Sequence, residues 1–309
     1  MHSFRTMGIT SELADCIYKI DKNDRILSYL PLSHVAERTV TEIPFLYRGI
    51  KLYFVKNMES FAEDLRTASP TIFFAVPRIW IKFQQGVLKQ LPEKKLSILM
   101  KLPFISNIIS RKIRLSLGLN DVRIAFSGAA PLSISILNWY HNLGIEILDA
   151  YGTSENMAYS HTTRKGYVIA GSVGRCNPAV HCKMDEQGQV LVKSPTTMLG
   201  YYKPPELTKE MLDDNGYLHT GDMGTIDSDG NLRISGRINE LFKSSKGIFI
   251  VPTPIENRLL DNPYIEQACV IGASLPQPIA LVNLSEQAKE KITDKAFKTE
   301  LILDLSSLV

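Results

Sequence analysis

Cysteine is scarce, four in 309 residues, and no pair stands at a spacing used by zinc sites or redox motifs. Cys176 and Cys182 are six positions apart, while Cys16 and Cys269 are remote from them and from each other. That excludes a disulfide-stapled or zinc-built fold and predicts four buried, reduced thiols. Neither charge sign dominates: 35 basic against 32 acidic side chains leave +3, too little to hold nucleic acid by bulk electrostatics. Long apolar runs are missing as well. The charge-free stretch Ile124–Ile145 is broken by Gly128, Pro131, four Ser or Asn residues and Asn142, so it reads as buried core rather than a membrane span. The opening Met1-His2-Ser3-Phe4-Arg5-Thr6-Met7-Gly8 has no apolar core followed by a small-residue cleavage site, which makes the cytoplasm the default expectation.

What is present suits a folded chain. Apolar residues at 44% and charged residues at 22% are globular values, and a domain of about 150 residues predicts two domains here. Short apolar runs alternate with helical patterns through the first half. Ile26 to Leu30, Lys51 to Val55, Thr71 to Val76, Val122 to Phe126 and Ile145 to Leu148 read as strands. Phe61 to Ala68 reads as a helical crossover with Ser60 as N-cap, and Pro77 suits the first turn of another helix. Strand, crossover, strand is the pattern of a parallel α/β sheet. After Gly171 the pattern shifts to short strands, Gln189 to Lys193 and Leu232 to Ser235, separated by Asp-Glu-Gln-Gly, Asp-Asp-Asn-Gly and Asp-Ser-Asp-Gly turns. A boundary near Gly236-Arg237 then precedes a helix at Pro254 to Leu260 and a strand at Ala268 to Ile271. The expected domains are 1–236 and 237–309.

Charge is uneven along the chain. From Arg78 to Arg114 nine Lys or Arg residues face only Glu93, net +8, leaving −5 elsewhere. Interleaved Leu, Ile and Phe make this a candidate for peripheral contact with anionic lipid; a solvated helix face with lysines lying over apolar neighbours is the plainer alternative.

Four turns carry candidate chemistry. Ser127-Gly128-Ala129-Ala130-Pro131 puts small residues between a strand and a helix, where backbone can approach a flat ligand. Tyr151-Gly152-Thr153-Ser154-Glu155-Asn156 follows the next strand, where open α/β sheets place ligands: Gly152 permits a bend, Thr153 offers a hydroxyl to phosphate, and Glu155 offers a hard oxygen to magnesium. A helix-capping role for Thr153 or Ser154 stands beside that reading. Asp222, after Gly221, can accept two hydrogen bonds from a vicinal diol such as ribose, or close an Asx-type turn. Arg237 can bridge a nucleotide or lie exposed. His34 in Pro31-Leu32-Ser33-His34-Val35-Ala36-Glu37-Arg38 sits just past a strand end, at a candidate substrate entrance.

In this order the segments resemble the adenylate-forming superfamily, from about Ser28 to Asn283. Tyr29 to Arg38, Val76-Pro77-Arg78-Ile79-Trp80, Thr197-Met198-Leu199-Gly200-Tyr201-Tyr202 and Glu240 to Gly247 are similar to its long-chain fatty acid–CoA ligase branch. The resemblance implies an α/β fold: part of a large N-terminal domain, with parallel sheet, helices and a β-rich subdomain, then a truncated small α+β domain. It implies an acid–thiol ligase in which ATP and a long-chain fatty acid give an acyl-adenylate, and coenzyme A then displaces AMP. Thr153 and Glu155 would contact phosphate and Mg2+, Tyr151 and the turn Gly128, Ala129, Ala130 would surround adenine, Gly152 would be nucleotide-binding, Asp222 and Arg237 would hold ribose, His34 would border the acyl carboxylate, and Asn239 would be the hinge. Relatives commonly have Asp or Lys at that hinge. The other readings are a non-catalytic nucleotide- or partner-binding remnant, and an acyl-AMP ligase serving a carrier protein.

Two features of the resembled family have no counterpart in residues 1–309: the Ser/Thr/Gly-rich phosphate loop ending in Pro-Lys-Gly, and a C-terminal lysine in a Gly-Lys context. Lys289, Lys291, Lys295 and Lys298 lie in a polar helical stretch instead. The expectation is therefore a fragment. Carboxylate attack on an α-phosphate brings anions together, and removing one preorganised donor costs roughly two to three decades of rate. The 309-residue polypeptide given palmitate, ATP and magnesium is expected to release no measurable pyrophosphate; release above a protein-free control contradicts this.

Overall fold

The computed structural model describes all residues except 131, 170, 204, 261 and 309. The first half comprises helix α1 (Phe4–Tyr18), strand β1 (Arg25–Ser28), and a helical turn α2 (Val35–Glu37) that runs through a π-helical segment (Arg38–Glu42) into α3 (Ile43–Arg48). Then follow β2 (Lys51–Phe54), α4 (Phe61–Ala68), β3 (Ile72–Ala75), α5 (Pro77–Gln90), α6 (Glu93–Met100), α7 (Ile105–Leu117), β4 (Ile124–Gly128), α8 (Ile134–Asn142) and β5 (Ile147–Tyr151). The second half is built from β6 (His161–Thr162), β7 (Arg175–Cys176), β8 (His181–Met184), β9 (Gln189–Lys193), α9 (Pro205–Met211), β10 (Leu218–Ile226), β11 (Leu232–Arg237), β12 (Phe242–Lys243), β13 (Phe249–Ile250), α10 (Pro252–Leu260), β14 (Ile265–Ile271), β15 (Ile279–Leu284), α11 (Glu286–Lys291) and α12 (Lys295–Leu308). Strands β8 to β11 make a four-stranded meander in the order β11-β10-β9-β8. By internal contacts the chain divides into two units, residues 1–183, 191–220 and 226–232, and residues 184–190, 221–225 and 233–309.

In the first unit the main sheet has the order β3-β4-β5-β6-β7, its first three strands parallel and the last two antiparallel. The parallel pair β1–β2 meets β3 where Thr71 N–H donates to the Arg25 carbonyl at 2.9 Å. Strand β3 reads Ile-Phe-Phe-Ala and is buried at every position, because helices cover both faces. Its side chains alternate between two cores. Phe73 and Ala75 join Leu65, Trp80 and Tyr140 on one face, while Ile72 and Phe74 join Ile26, Phe126 and Leu148 on the other. Trp80 is fully buried, and its indole N–H is shared between the Ala75 and Phe126 carbonyls at 3.2 and 3.3 Å.

One buried carboxylate aligns the strand starts. Asp24, immediately before β1, accepts from Thr71 Oγ1 at 2.6 Å, immediately before β3, and from Arg123 Nε at 2.8 Å, immediately before β4. Burial works to raise its carboxyl, but the Arg123 and Thr71 hydrogen bonds outweigh that and hold it below the ordinary carboxylate value.

The expected crossover Phe61–Ala68 forms with those bounds, and α5 begins at Pro77. Ser60 occupies the N-cap position of α4, yet its hydroxyl donates to Asp64 Oδ2 at 2.7 Å and caps no helix amide. Strands β4 and β5 lie about two residues beyond the apolar runs. Arg123 is drawn to Asp24, and Ile145 N–H closes the end of α8 on the Tyr140 carbonyl at 3.0 Å. The prediction of buried thiols is corrected: Cys16 and Cys269 are exposed, Cys176 and Cys182 half-buried. The three Asp-x-x-Gly segments form turns of one kind. The first carboxylates, of Asp185, Asp213 and Asp227, each accept backbone N–H groups two and four residues on, at 2.7 to 3.0 Å.

In the second unit β12 pairs with β13 and β14 with β15, both antiparallel. Glu256 on α10 accepts the Val270 N–H of β14 at 2.7 Å, and the Phe297 ring of α12 meets Tyr264 edge-on at 5.0 Å.

Candidate functional site

The turns after β4 and β5 are built where only small residues fit. A Cβ on Gly128 would stand 3.1 Å from the Ala150 carbonyl oxygen and 3.2 Å from the Phe74 ring. One on Gly152 would stand 2.4 Å from the Ala158 carbonyl carbon, so glycine is what lets the loop after β5 fold back on itself. Three non-glycine residues in these turns, Ala129, Met157 and Ala158, have left-handed backbone with φ of 67°, 57° and 51°. Such conformations cost about 1–2 kcal/mol each and gather at ligand sites.

Between these turns, α1 and the π-helical segment lies a cavity of about 120 Å³, lined by His34, Val40, Phe74, Gly128, Ala129 and Gly152 among others. Its roof is fixed by Thr39, whose hydroxyl donates to the Met157 carbonyl at 2.7 Å. Below it Glu37 is buried; its carboxylate accepts from Ser28 Oγ at 2.6 Å, and burial pushes its carboxyl up. His34 stands exposed and caps α2, with Nδ1 accepting the Ala36 N–H at 3.1 Å. In the neutral ring that leaves Nε2 protonated, a donor at the cavity's edge.

On the loop after Gly152, Thr153 forms a capping box with Asn156, whose side-chain oxygen accepts the Thr153 N–H at 2.9 Å. Glu155 is held from the segment Thr197–Tyr202. Tyr201 donates its hydroxyl to Glu155 Oε1 at 2.7 Å, and Met198 N–H reaches the Glu155 carbonyl at 2.6 Å. Burial works to raise the Glu155 carboxyl, but its hydrogen bonds, Tyr201's first, hold it below the ordinary value. Burial and the neighbouring Glu155 charge push the Tyr201 phenol up in turn. Tyr201 belongs to a segment the sequence marks only by family likeness, and nothing in its spacing points to Glu155. Tyr151 ends β5 with its ring 5.9 Å from His161. Ala130 is exposed beside Ala129, and Pro131 lies outside the described residues.

In the other unit Asp222 and Arg237 come together. Arg237 Nε donates to Asp222 Oδ1 at 3.0 Å, with the carboxylate buried and the guanidinium largely exposed. Asn239 is exposed in a single 3₁₀ turn, Ile238–Glu240, outside the left-handed region. For magnesium the donor chemistry fits in kind, since Glu155 presents a carboxylate oxygen. Among the described residues no group of three His, Cys, Asp or Glu could hold an ion.

Two family models match the chain: AMP-binding enzyme over residues 1–202 and AMP-binding enzyme C-terminal domain over residues 241–306. The chain belongs to the AMP-binding enzyme family. It is 33% identical over 288 residues to long-chain-fatty-acid–CoA ligase 5 of Rattus norvegicus, covering 84% of this chain and 42% of the relative. It is 31% identical over 283 residues to long-chain-fatty-acid–CoA ligase 1 of Homo sapiens, covering 82% and 40%. The chain spans between 40% and 48% of the length of the curated relatives it matches. Its fold is the adenylate-forming fold. The A-PCP didomain of carboxylic acid reductase from Segniliparus rugosus in complex with AMP aligns with a TM-score of 0.74 at 25% identity, over 92% of this chain and 41% of that one. The A domain of the same enzyme, with AMP and a co-purified carboxylic acid, aligns over 100% of this chain and 51% of that one with a TM-score of 0.79 at 24% identity.

Asp149, on β5, is not marked by the sequence. Burial alone pushes its carboxyl up to about 7. The folded state thus holds this proton more tightly than the unfolded chain, so the contribution is full below about pH 4 and lost as pH rises through 7. Asp149→Asn is expected to raise stability at pH 8 by on the order of a few kcal/mol and to flatten the pH dependence of Tm. Identical pH profiles for the two proteins in thermal melts contradict it.

Proposed function

We propose that the chain carries the nucleotide- and acid-binding portion of an ATP-dependent long-chain fatty acid–CoA ligase. The observation that carries this reading is the convergence of His34, Gly128, Ala129 and Gly152 on one apolar cavity at the carboxyl ends of β4 and β5. Support for the acid comes from curated relatives that are long-chain fatty acid–CoA ligases, and for the nucleotide from a neighbour solved with AMP. The proposed domains remain 1–236 and 237–309.

On this reading the acyl chain enters the cavity and its carboxylate is oriented by His34 Nε2–H. The Gly128 to Ala130 turn and Tyr151 bracket adenine, and Gly152 and Thr153 approach phosphate. Magnesium, when bound at Glu155 and the phosphates, would neutralise charge as carboxylate and α-phosphate approach. Tyr201 holds Glu155 ionised and aimed for that duty. Coenzyme A is the acceptor that the curated relatives favour, whereas likeness to an A-PCP didomain favours a carrier protein. Calorimetric titration is expected to show one AMP site. Ala14→Trp, filling the cavity from α1, should weaken a long-chain acid at least about tenfold and leave AMP within about threefold. No AMP heat, or acid binding indifferent to the substitution, contradicts the assignment.

Peripheral contact with anionic lipid is part of the same reading, with no fixed cytoplasmic location implied. The nine basic residues between Arg78 and Arg114 lie on α5, α6, α7 and their connections. Beside them Ile98, Phe104 and Ile108 are 64%, 82% and 66% exposed. Among the described residues no helix is long and apolar enough to cross a membrane. Co-sedimentation with phosphatidylserine vesicles is expected to fall at least about threefold on Phe104→Asp and at high salt. Indifference to both contradicts it.

A further inference from the structure

A second constellation lies on the far strands of the main sheet, sharing only Tyr151 with the ligase assignments. Register carries a row of side chains from Tyr151 on β5 to His161 on β6 to Cys176 on β7, each directly paired with the next. His161 is buried and bonded at both ring nitrogens. Nδ1 lies 2.9 Å from Ser160 Oγ, and Nε2 lies 3.3 Å from Cys176 Sγ. The chain then reverses in a turn in which Val180 N–H donates to the Asn177 carbonyl at 3.0 Å. Pro178 and left-handed Ala179, φ 61°, hold its two central positions, the type II arrangement. That reversal brings Cys182, on β8, back beside Cys176. Both are half-buried, so small solutes reach them.

This is more than a packed thiol. The Cys182 thiol donating to it and the His161 imidazole beside it hold Cys176 far below the ordinary thiol range, while Cys182 is pushed up by giving its hydrogen bond to that sulfur. The lowered group suits an attacking thiolate and the raised one a resolving thiol that keeps its proton.

We propose that Cys176, activated by His161 and resolved by Cys182, is a hydroperoxide-reactive thiol site. The Cys176 thiolate attacks a peroxide oxygen: an S–O bond forms, the O–O bond breaks, and the leaving hydroxide takes up the proton Cys176 gave up, departing as water. Cys182 sulfur then attacks the sulfenic acid; the S–S bond forms, the S–O bond breaks, and hydroxide leaves as water with the Cys182 proton. Two thiols are oxidised and one hydrogen peroxide is reduced to two waters.

The exposed Cys16 and Cys269 are internal controls in the unmodified 309-residue chain. At about pH 5, iodoacetamide should label Cys176 at least about tenfold faster than either, because only a thiolate reacts. Hydrogen peroxide at low excess should then yield a species lighter by two hydrogens, whose non-reduced peptide map joins Cys176 to Cys182. Cys182→Ser should keep the fast labelling and divert the product to a dimedone-trapped sulfenic acid at Cys176. Equal labelling of Cys176, Cys16 and Cys269 overturns the activated thiol. A sulfenic acid at Cys176 in the unmodified chain, with no disulfide, overturns the resolving role of Cys182. These readouts contain no nucleotide or fatty acid, so they stand or fall apart from the ligase reading.

Discussion

The ends of β3, β4 and β5 can meet at one place only if the strands start in line, and a single buried carboxylate sets that alignment. Asp24 gathers Thr71 and Arg123, the residues immediately preceding β3 and β4, at the foot of β1. Each strand is four or five residues long at about 3.3 Å per residue. A slip of one residue at the foot would therefore displace Gly128 by a whole residue and turn its neighbours to the opposite face. The buried pair is less a source of net stability than a register device, since desolvation offsets much of its Coulombic gain.

At the other end of those strands the same economy of space appears as strain. Gly128 and Gly152 stand where a Cβ would meet backbone or ring, and Ala129, Met157 and Ala158 accept left-handed conformations. Thr39 ties the π-helical roof to the Met157 carbonyl of the strained loop. A π-helical segment is a rare geometry that is frequent at functional sites.

Much of the first unit is legible in the sequence because its strands are short apolar runs closed on both sides, and because Pro77 and the small-residue turns punctuate them. Strand limits are less legible: Arg123 and Ile145 read as parts of apolar runs until tertiary partners claim them. No local pattern in the sequence marks helix α1; Ser3 accepts the Thr6 N–H at 3.1 Å, a cap visible only once the helix is known. Of the site, the turns carrying Gly128, Gly152, Thr153 and Glu155 follow from composition and position. Tyr201, Asp149 and the Cys176–His161 contact do not, since each depends on a partner tens of residues away or on burial that no local pattern encodes. The six-residue cysteine spacing matches no known motif, yet a proline turn brings the two side by side.

The central claim is that the loops after β4 and β5 form one nucleotide-binding surface. Amide hydrogen exchange of the 309-residue chain with and without AMP tests it most directly. Slowed exchange concentrated in residues 128–130 and 151–158 is the predicted result. Unchanged exchange in both loops at saturating AMP, or protection confined to other segments, would contradict the account.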